Sequence, residues 1–282
     1  MRVLLVPNPA NDRSVSATRQ LVSLLEARGY EPVLAADDAA ACGFPARGVS
    51  RADIGVPELV VALGGDGTIL KAVHVLGDTD APILGVNLGR LGFLSGADGA
   101  EFEDAVLSAL AGEARVERRD TLEALVDVGG RQAGSYHALN EVFIGRGGGS
   151  RVVELEVRVN GVRLWRFLCD GVIVATPTGS TAYALSAGGP IVSPEVRGIV
   201  LVPVAPHGVS TRPVVLGPSD VVEISCPNPA RAEACITIDG DQVPCRRTLD
   251  TVRVHIGDHD VRLLKLDGRG FFEVLQDKFM GV

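Results

Sequence analysis

The sequence predicts an open parallel α/β domain followed by a second domain that is nearly all β, and three observations support this. The N-terminal part alternates short buried apolar runs with segments of helical periodicity. From about Val116 the apolar runs become short and rich in β-branched residues, and Gly, Pro, Asn and Asp punctuate them. A length of 282 residues accommodates two domains of ordinary size, and a hydrophobic content of 46% supplies their cores.

The N-terminal elements alternate in the order that a parallel sheet requires. Residues 3–6 predict the first strand, and a helix capped by Ser14 or Ser16 follows it to about Arg28. Further strands are predicted over residues 31–36, 59–63 and 82–86, with helices after Thr68 and over 101–110. Because ligands on such sheets gather at the carboxyl ends of the strands, the glycine-bearing loops after residues 63 and 86 are candidate site loops.

The second half is predicted to contain mostly strands. They lie over residues 122–128, 142–144, 152–159, 163–168, 172–175, 198–204, 221–225, 234–238 and 251–256. Helices are expected only over residues 180–187 and at the C-terminus. There, Phe271, Phe272, Leu275 and Phe279 recur at helical spacing, which predicts a helix that packs by this apolar face.

Charge and composition exclude several classes of protein. The net charge of −8 and the scattered basic residues argue against a nucleic-acid surface. The longest apolar run, residues 199–205, contains Pro203 and is too short to span a membrane. The five cysteines form no CxxC pair and show no zinc-ligand spacing, so we expect reduced thiols in a cytoplasmic protein.

A glycine-rich turn, GGDGT over residues 64–68, follows one of the buried strands and precedes a helix. Its backbone N–H groups and the helix dipole would favour a phosphate. Asp66 would repel that phosphate unless it binds a metal or takes a proton, and Lys71 would add positive charge to the same pocket. The alternatives are a structural turn in which Asp66 caps the helix, and a solvated Lys71.

Asn140 and Glu141 stand side by side in an otherwise apolar run. Burying them costs free energy unless they are paired. Together they offer the donors and acceptors that suit the ribose or the base edge of a nucleoside. The alternative is a polar turn before a strand.

Residues 170–190 are the most informative stretch. A buried strand there leads into Thr, Pro, Gly and Ser and then into a short helix that begins with small hydroxyl residues. Such a segment exposes backbone amides and hydroxyls together, as a phosphate or sugar site requires. Ala182, Ala184 and Ser186 are small enough for a flat ring to lie against the helix, and Tyr183 would stack on that ring or hydrogen-bond to it.

These three stretches resemble the signatures of the NAD kinase family, in the same order and at approximately the same spacing. Further similarity lies in GVNLGRLGFL (residues 85–94), in His207 with RPVV (212–215) and in IDGDQ (238–242). The third motif is long enough to be specific, whereas GGDGT is shared with diacylglycerol, sphingosine and 6-phosphofructo kinases. The resemblance extends from about residue 59 to the C-terminus.

The resemblance implies a fold of two domains. The first would be a Rossmann-like open parallel α/β domain, residues 1–117 joined by about 262–282. The second would be a β-rich, sandwich-like NAD-binding domain, residues 118–261, after which the C-terminal helix returns to the first domain.

The resemblance also implies phosphoryl transfer from ATP or polyphosphate to the adenosine ribose 2′-hydroxyl of NAD, which gives NADP. Asp66 would be the general base on that hydroxyl, with orientation of Mg²⁺ as its alternative role. Mg²⁺ would arrive with the phosphates of the donor rather than bind a dedicated set of protein ligands. The residues implied in substrate and nucleotide binding are Gly67, Lys71, Asn140, Glu141, Arg151, Asp170, Thr181, Ala182, Tyr183, Ala184, Leu185, Ser186 and Gln242.

Two other functions stay open at the level of sequence. One is a related phosphotransferase that acts on another nucleoside or on a polyol. The other is a non-enzymatic NAD-binding module, against which the intact Asp66 argues because a sensor has no need of that carboxylate. The resemblance implies a homodimer or homotetramer, and we expect no nucleic-acid or membrane partner.

Overall fold

The computed structural model describes residues 1–77, 79–89, 92–147, 152–208, 211–228, 234–244, 249–266 and 269–279. The chain forms two compact units, residues 1–119 with 261–282 (unit 1) and residues 120–260 (unit 2). No helix in the described ranges has the length and apolar character that crossing a membrane requires. The cysteines at positions 42, 169, 226 and 235 are free, as expected, and Cys245 lies outside the described residues.

Unit 1 alternates strands and helices. Its strands are β1 (Arg2–Pro7), β2 (Glu31–Ala35), β3 (Gly48–Val49), β4 (Leu59–Gly64), β5 (Ile83–Asn87) and β6 (Ala97–Asp98). Its helices are α1 (Asp12–Ala27), α2 (Ala36–Cys42), α3 (Asp66–Leu76) and α4 (Phe102–Leu110). Short 3-10 helices cover Pro45–Arg47, Arg51–Asp53 and Gly99–Glu101.

The sheet of unit 1 is parallel, in the order β3-β2-β1-β4-β5. Every residue of β4 is buried, which fits its uninterrupted apolar sequence at the centre of the sheet. The carboxyl ends of β4 and β5 are adjacent, since Gly64 pairs with Asn87. The loops after these two strands therefore begin side by side.

The start of α1 corrects one expectation. The helix is capped by Asn11, whose side chain accepts a hydrogen bond from the Arg13 N–H, and not by Ser14 or Ser16. Ser14 is buried and its hydroxyl donates to the Leu63 carbonyl at 2.7 Å. Ser14 does not cap the helix because its hydroxyl group is used in the hydrogen bond to Leu63.

Unit 2 consists mainly of strands, and two of them continue across its boundaries. The strands are β7 (Arg115–Val128), β8 (Arg131–Ala138), β9 (Glu141–Arg146), β10 (Val153–Val159), β11 (Val162–Cys169), β12 (Gly171–Ala175), β13 (Ile199–Val204), β14 (Val214–Leu216), β15 (Val222–Ser225), β16 (Ala234–Ile238), β17 (Asp241–Gln242) and β18 (Leu249–Lys265). A 3-10 helix, Thr178–Thr181, leads into the short helix α5 (Tyr183–Ser186).

The strands of unit 2 form antiparallel arrangements. One sheet has the order β14-β13-β12-β9-β16-β17. Further antiparallel pairs join β11 to β10, β10 to β15 and β15 to the first part of β18. Alternate residues of both sets of strands supply one core, which includes Val142, Val174, Leu155, Ile224 and Val252.

The C-terminal part of the chain returns to unit 1. Leu263 and Leu264 of β18 pair in parallel with β5, and helix α6 (Phe271–Phe279) follows. The bounds of α6 are those predicted, but its packing differs from the expectation. Val274 is buried, whereas Phe272 and Phe279 are 69% and 54% exposed. The predicted apolar face is therefore only partly covered.

Candidate active site

Asp66 is the first residue of α3, directly after the buried strand β4 and the turn at Gly65. Its two carboxylate oxygens accept backbone hydrogen bonds from the loop that follows β5. The Phe93 N–H lies 2.9 Å from Oδ2, and the Leu94 N–H lies 3.1 Å from Oδ1. The side chain thus joins the two loops at the carboxyl edge of the sheet, at a helix N-terminus whose dipole favours negative charge.

The glycines near Asp66 have different physical explanations. A Cβ on Gly92 would lie 2.0 Å from Asp66 Oδ1, so the held carboxylate requires glycine there. A Cβ on Gly65 or Gly67 would meet no described atom within 4 Å, and neither residue has a positive φ. Packing therefore does not explain glycine at positions 65 and 67. Close approach of a ligand to the backbone would explain it.

The loop that holds Asp66 is itself supported by the C-terminal residues of unit 1. Lys265 is only 8% exposed, and its ammonium group donates to the carbonyl oxygens of Leu94 and Ser95. The ring of Phe271 packs on the ring of Phe93 with 5.6 Å between centroids. The loop is thus fixed by a buried cation and by the last helix.

Lys71 lies one turn into α3, and its ammonium group has partners within unit 1. It forms an ion pair with the buried carboxylate of Asp38 at 2.5 Å and donates to the Pro7 carbonyl at 3.3 Å. The positive charge at this position is thus neutralised by a residue of α2. The second oxygen of Asp38 is buried without a hydrogen-bond partner among the described residues.

In unit 2, three strand ends meet at one edge of the antiparallel sheet. Glu141 at the start of β9 pairs with Ala175 at the end of β12, and Val142 pairs with Ile238 at the end of β16. The segments that adjoin these ends are Asn140, the Thr176–Ser180 turn and Asp239. The strand register therefore brings two of the predicted motifs together: the Asn140-Glu141 pair and the turn that leads into α5.

Asp239 holds the Asn140-Glu141 segment. Its carboxylate accepts hydrogen bonds from the backbone N–H groups of Leu139 (2.8 Å), Asn140 (2.7 Å) and Glu141 (3.0 Å). From the other side, the Thr176 hydroxyl donates to the Leu139 carbonyl at 2.6 Å and the Thr176 N–H donates to the Asn140 carbonyl at 2.9 Å. The backbone around Asn140 is fixed on both sides.

Glu141 is a buried carboxyl group whose pKa lies near neutral pH. Its side chain is 7% exposed. Burial, with a further contribution from the Asp239 charge, raises the pKa of Glu141 to about 7, and the Tyr183 N–H acts in the opposite direction. Its Oε2 atom is buried and has no hydrogen-bond partner within the described part of the chain. It is an acceptor suited to a hydroxyl group of a ligand.

The segment from Thr178 to Ser186 lies against Asn140. A Cβ on Gly179 would lie 2.1 Å from the Asn140 carbonyl oxygen, so the two backbones are in direct contact. The Tyr183 side chain is 42% exposed, and its ring packs edge-on against Phe143 with 5.5 Å between centroids. This arrangement leaves the phenol group at the surface beside the segment.

The side chains of α5 differ in exposure. Ser186 is exposed and Thr181, Ala182 and Leu185 are half-buried, but Ala184 is fully buried in a small cluster with Ile173 and Val200. A ring on the surface of this helix would therefore lie against Ala182 and Ser186. The sequence pattern had placed Ala184 on the same surface, and the structure turns it to the core.

Asp170 stands at the opposite end of β12 from Ala175, about 17 Å along the strand at about 3.4 Å per residue. Its carboxylate forms an ion pair with Arg146 at 3.0 Å. Gln242 is exposed in β17 and is paired in register with Thr237. Arg151 lies outside the described residues. In the described ranges, no group of three or more His, Cys, Asp or Glu side chains is placed to hold a metal ion.

Comparison with known proteins identifies the family. The model of the ATP-NAD kinase N-terminal domain matches residues 3–114, and that of the ATP-NAD kinase C-terminal domain matches residues 139–266. The chain belongs to the NAD kinase family. It is 36% identical over 277 residues to an NAD kinase of Moorella thermoacetica, covering 98% of this chain and 88% of that one. It is 38% identical over 267 residues to an NAD kinase of Geobacter sulfurreducens, covering 94% and 93%.

Solved structures of NAD kinases have the same fold. The yeast NADH kinase complexed with NADH superimposes with a TM-score of 0.88 at 28% identity, over 100% of this chain and 87% of that one. An NAD kinase from Archaeoglobus fulgidus in complex with ATP superimposes with a TM-score of 0.75 at 26% identity, over 100% of both chains. The predicted fold class and the predicted phosphotransferase activity on NAD are confirmed.

Three supporting residues, Asp239, Gly92 and Lys265, have roles that the sequence did not predict. Asp239 and Gly92 lie in the matched stretches IDGDQ and GVNLGRLGFL, but their contacts were not foreseen. Lys265 ends an apolar strand, where its sequence does not distinguish a buried cation from a solvated one. In each case the partner is far away in the chain, so no local pattern reveals it.

Proposed function

We propose that this member of the NAD kinase family transfers the γ-phosphoryl group of ATP to the 2′-hydroxyl of the adenosine ribose of NAD, and that Asp66 is the general base. The observation that carries the proposal is the carboxylate of Asp66, held by the Phe93 and Leu94 N–H groups at the start of α3. The relatives support the substrates, since one solved NAD kinase is in complex with ATP and the yeast NADH kinase with NADH.

The chemical step follows from this geometry. Asp66 takes the proton of the 2′-hydroxyl as the oxygen bonds to the γ-phosphorus, and the bond from that phosphorus to the bridging oxygen breaks to release ADP. A carboxylate has about four lone-pair sites, so two N–H bonds leave capacity for the hydroxyl. Because phosphoryl transfer leaves the protein mainly positioning and charge stabilisation to perform, the fixed orientation of Asp66 is its main contribution.

Mg²⁺ is proposed to accompany the ATP phosphates, whose negative charge it would neutralise. The residues present fit a cation of this kind. Mg²⁺ usually binds one or two carboxylates together with substrate phosphates and water. In its alternative role, Asp66 would be the carboxylate of the GGDGT turn that orients such an ion.

For NAD, we propose that Asn140 and Glu141 bind the nucleoside part. The support is the fixed backbone of this segment and the buried Glu141 oxygen that has no described partner. The exposed phenol of Tyr183 and the surface of Ala182 and Ser186 adjoin it. Asp170, at the far end of β12, would contact a different part of the elongated dinucleotide.

Several finer points stay predictions from the family resemblance. They are the binding roles of Gly67, Lys71, Arg151, Thr181, Ala184, Leu185 and Gln242, inorganic polyphosphate as an alternative donor, a cytoplasmic location, and assembly as a homodimer or homotetramer.

Replacing Asp66 tests the proposed base. Asp66→Asn keeps the size of the side chain but removes the proton acceptor, so we expect kcat for NADP formation to fall by about 10²–10⁴-fold. The dissociation constant for NAD should change by no more than a few-fold, because asparagine can still hydrogen-bond to the hydroxyl and the other proposed NAD contacts, Asn140 and Glu141, are unchanged. Steady-state kinetics and calorimetric NAD titration measure the two quantities. Turnover near that of the wild type would contradict the role of Asp66.

The matched control is Asp37→Asn, which makes the same chemical change at an exposed position in the first turn of α2. Its kcat should equal that of the wild type. In Asp66→Asn the introduced NH₂ group replaces one of the two oxygens and therefore faces one of the two backbone donors. Urea unfolding of both variants would therefore show whether a loss of turnover reflects the missing base or a loss of structure.

A further inference from the structure

Asp239 makes an unusual number of contacts with one short segment. Its carboxylate accepts hydrogen bonds from three backbone N–H groups. In addition, its own N–H donates a hydrogen bond to the Glu141 carbonyl at 3.0 Å. One residue thus forms four hydrogen bonds with three consecutive residues that lie 98 to 100 positions earlier in the chain. Hydrogen bonds to an ionised carboxylate are about twice as strong as neutral ones.

The backbone at Asp239 is held in a conformation that side chains rarely adopt. Its φ is +49°, and that of Gly240 is +90°. Asp and Asn tolerate this left-handed region better than other residues that carry a Cβ, and glycine adopts it freely. The bend places the Asp239 carboxylate beneath the Leu139, Asn140 and Glu141 N–H groups, which precede or begin β9.

We infer that Asp239 is a positioning residue for NAD binding, which fixes the Asn140-Glu141 backbone so that both side chains present their polar groups to the nucleotide. The inference rests on the proposed role of Asn140 and Glu141 in binding NAD. Thr176 holds the carbonyl side of the same segment and Asp239 holds its N–H side. Without Asp239, three backbone donors at this sheet edge lose their acceptor and the segment loses its orientation.

Asp239 also acts electrostatically on Glu141. The described groups that influence the ionisation of Glu141 are the Asp239 carboxylate, which disfavours the charged form, and the Tyr183 N–H, which favours it. Burial makes the largest contribution to the raised pKa of Glu141. Removing the Asp239 charge should therefore lower the pKa of Glu141 part of the way towards its ordinary value. A purely structural contact would not have this effect.

The experiment compares Asp239→Asn with the wild type over pH 5.5 to 8.5. Asn tolerates the left-handed backbone but lacks the charge, and its amide nitrogen faces backbone donors. We expect the KM for NAD to rise about tenfold or more, with kcat and the KM for ATP changed less than about threefold. In the wild type, ionisation of Glu141 should strengthen NAD binding as the pH rises through about 7. In the variant this inflection should move to lower pH.

Asp239→Gly provides a second variant that keeps the test valid if Asp239→Asn disturbs folding. Glycine removes the carboxylate without strain at a positive φ, so the KM and the inflection should change in the same directions. The matched control is Asp250→Asn in unit 2, whose carboxylate also accepts a backbone N–H, from Gly130 at 2.7 Å, away from the Asn140 segment. Its KM for NAD should equal that of the wild type.

The outcomes separate this inference from the proposal on which it rests. Glu141→Ala and Asn140→Ala are measured in parallel. If neither changes the KM for NAD, the proposed NAD site and this inference both fail. If they raise it but Asp239→Asn and Asp239→Gly leave it unchanged, the inference alone is wrong. The inference is also wrong if the Asp239 variants raise the KM for NAD by the same factor at every pH and leave the inflection at the wild-type pH. Asp239 would then be only a structural contact.

Discussion

Glu141 combines an energetic cost to the folded protein with the proposed role in binding NAD. Its carboxyl group is nearly completely buried, one of its oxygens has no hydrogen-bond partner in the described structure, and a second carboxylate lies nearby. Each of these features disfavours the ionised form in the free protein. A ligand that donates a hydrogen bond to Glu141 would relieve the same cost, which agrees with the proposed binding role.

This predicts a pH-dependent effect of Glu141→Gln on stability. The pKa of Glu141 is raised from 4.5 to about 7 in the fold, so the native state binds more protons than the unfolded chain between these values. Its contribution to the free energy of unfolding is fully present below pH 4.5 and is lost as the pH rises through about 7. The loss amounts to at most about 3–4 kcal/mol, at about 1.4 kcal/mol per pKa unit.

The glutamine side chain of Glu141→Gln does not titrate, so the variant should gain stability relative to the wild type as the pH rises. Urea unfolding without NAD at pH 5 and pH 8 measures this difference. An equal difference between variant and wild type at both pH values would show that Glu141 ionises in the folded protein as it does in the unfolded chain.

Among the structural elements, the loops after β4 and β5 are connected to each other because the side chain of Asp66 hydrogen-bonds from one to the other. The side chain begins α3 and is bonded to the loop of the next strand, and Gly92 gives it the space to do so. Lys265 and Phe271 support that loop from the C-terminal part of the chain. The position of the proposed base therefore depends on elements that carry no reacting group.

A single added methyl group tests this dependence. In Gly92→Ala the new Cβ would lie 2.0 Å from Asp66 Oδ1, so the carboxylate or the loop must move. A misplacement of about 1 Å can reduce a rate about 10²-fold, so we expect kcat for NADP formation to fall by about one to two orders of magnitude. Gly89→Ala in the same loop is the control, because its Cβ would meet no described atom within 4 Å. Equal kcat values for both variants would show that turnover does not depend on the position of the Asp66 carboxylate.

Elements with a strong apolar period were predicted well from the sequence. The strand over residues 59–63 and the helix over residues 271–279 agree with the structure to within a residue, because the first is a continuous apolar run and the second repeats apolar residues at helical spacing. The predicted cap of α1 was wrong, since the Ser14 hydroxyl instead donates to the carbonyl of Leu63, 49 residues away. The role of Asp239 was missed for the same reason: its partners lie about 100 residues earlier.

At the scale of the whole molecule, the chain completes its first unit with its last residues. Unit 1 contains residues 1–119 and 261–282, and unit 2 is the stretch between them. Leu263 and Leu264 add a strand segment beside β5, and Lys265 follows them directly. The family motifs are correspondingly divided, with GGDGT in unit 1 and both Asn140-Glu141 and residues 170–186 in unit 2.

Phosphoryl transfer from ATP to the 2′-hydroxyl of NAD is tested by measuring the product. The purified wild-type protein is incubated with NAD, Mg²⁺ and ATP, and NADP is measured by coupling to an NADP-specific dehydrogenase. Parallel reactions replace ATP with GTP or polyphosphate and NAD with NADH, other nucleosides or polyols. We expect NADP to accumulate with ATP as donor and the new phosphate to be on the adenosine ribose. No NADP with any donor, or phosphorylation of another acceptor only, would contradict this expectation.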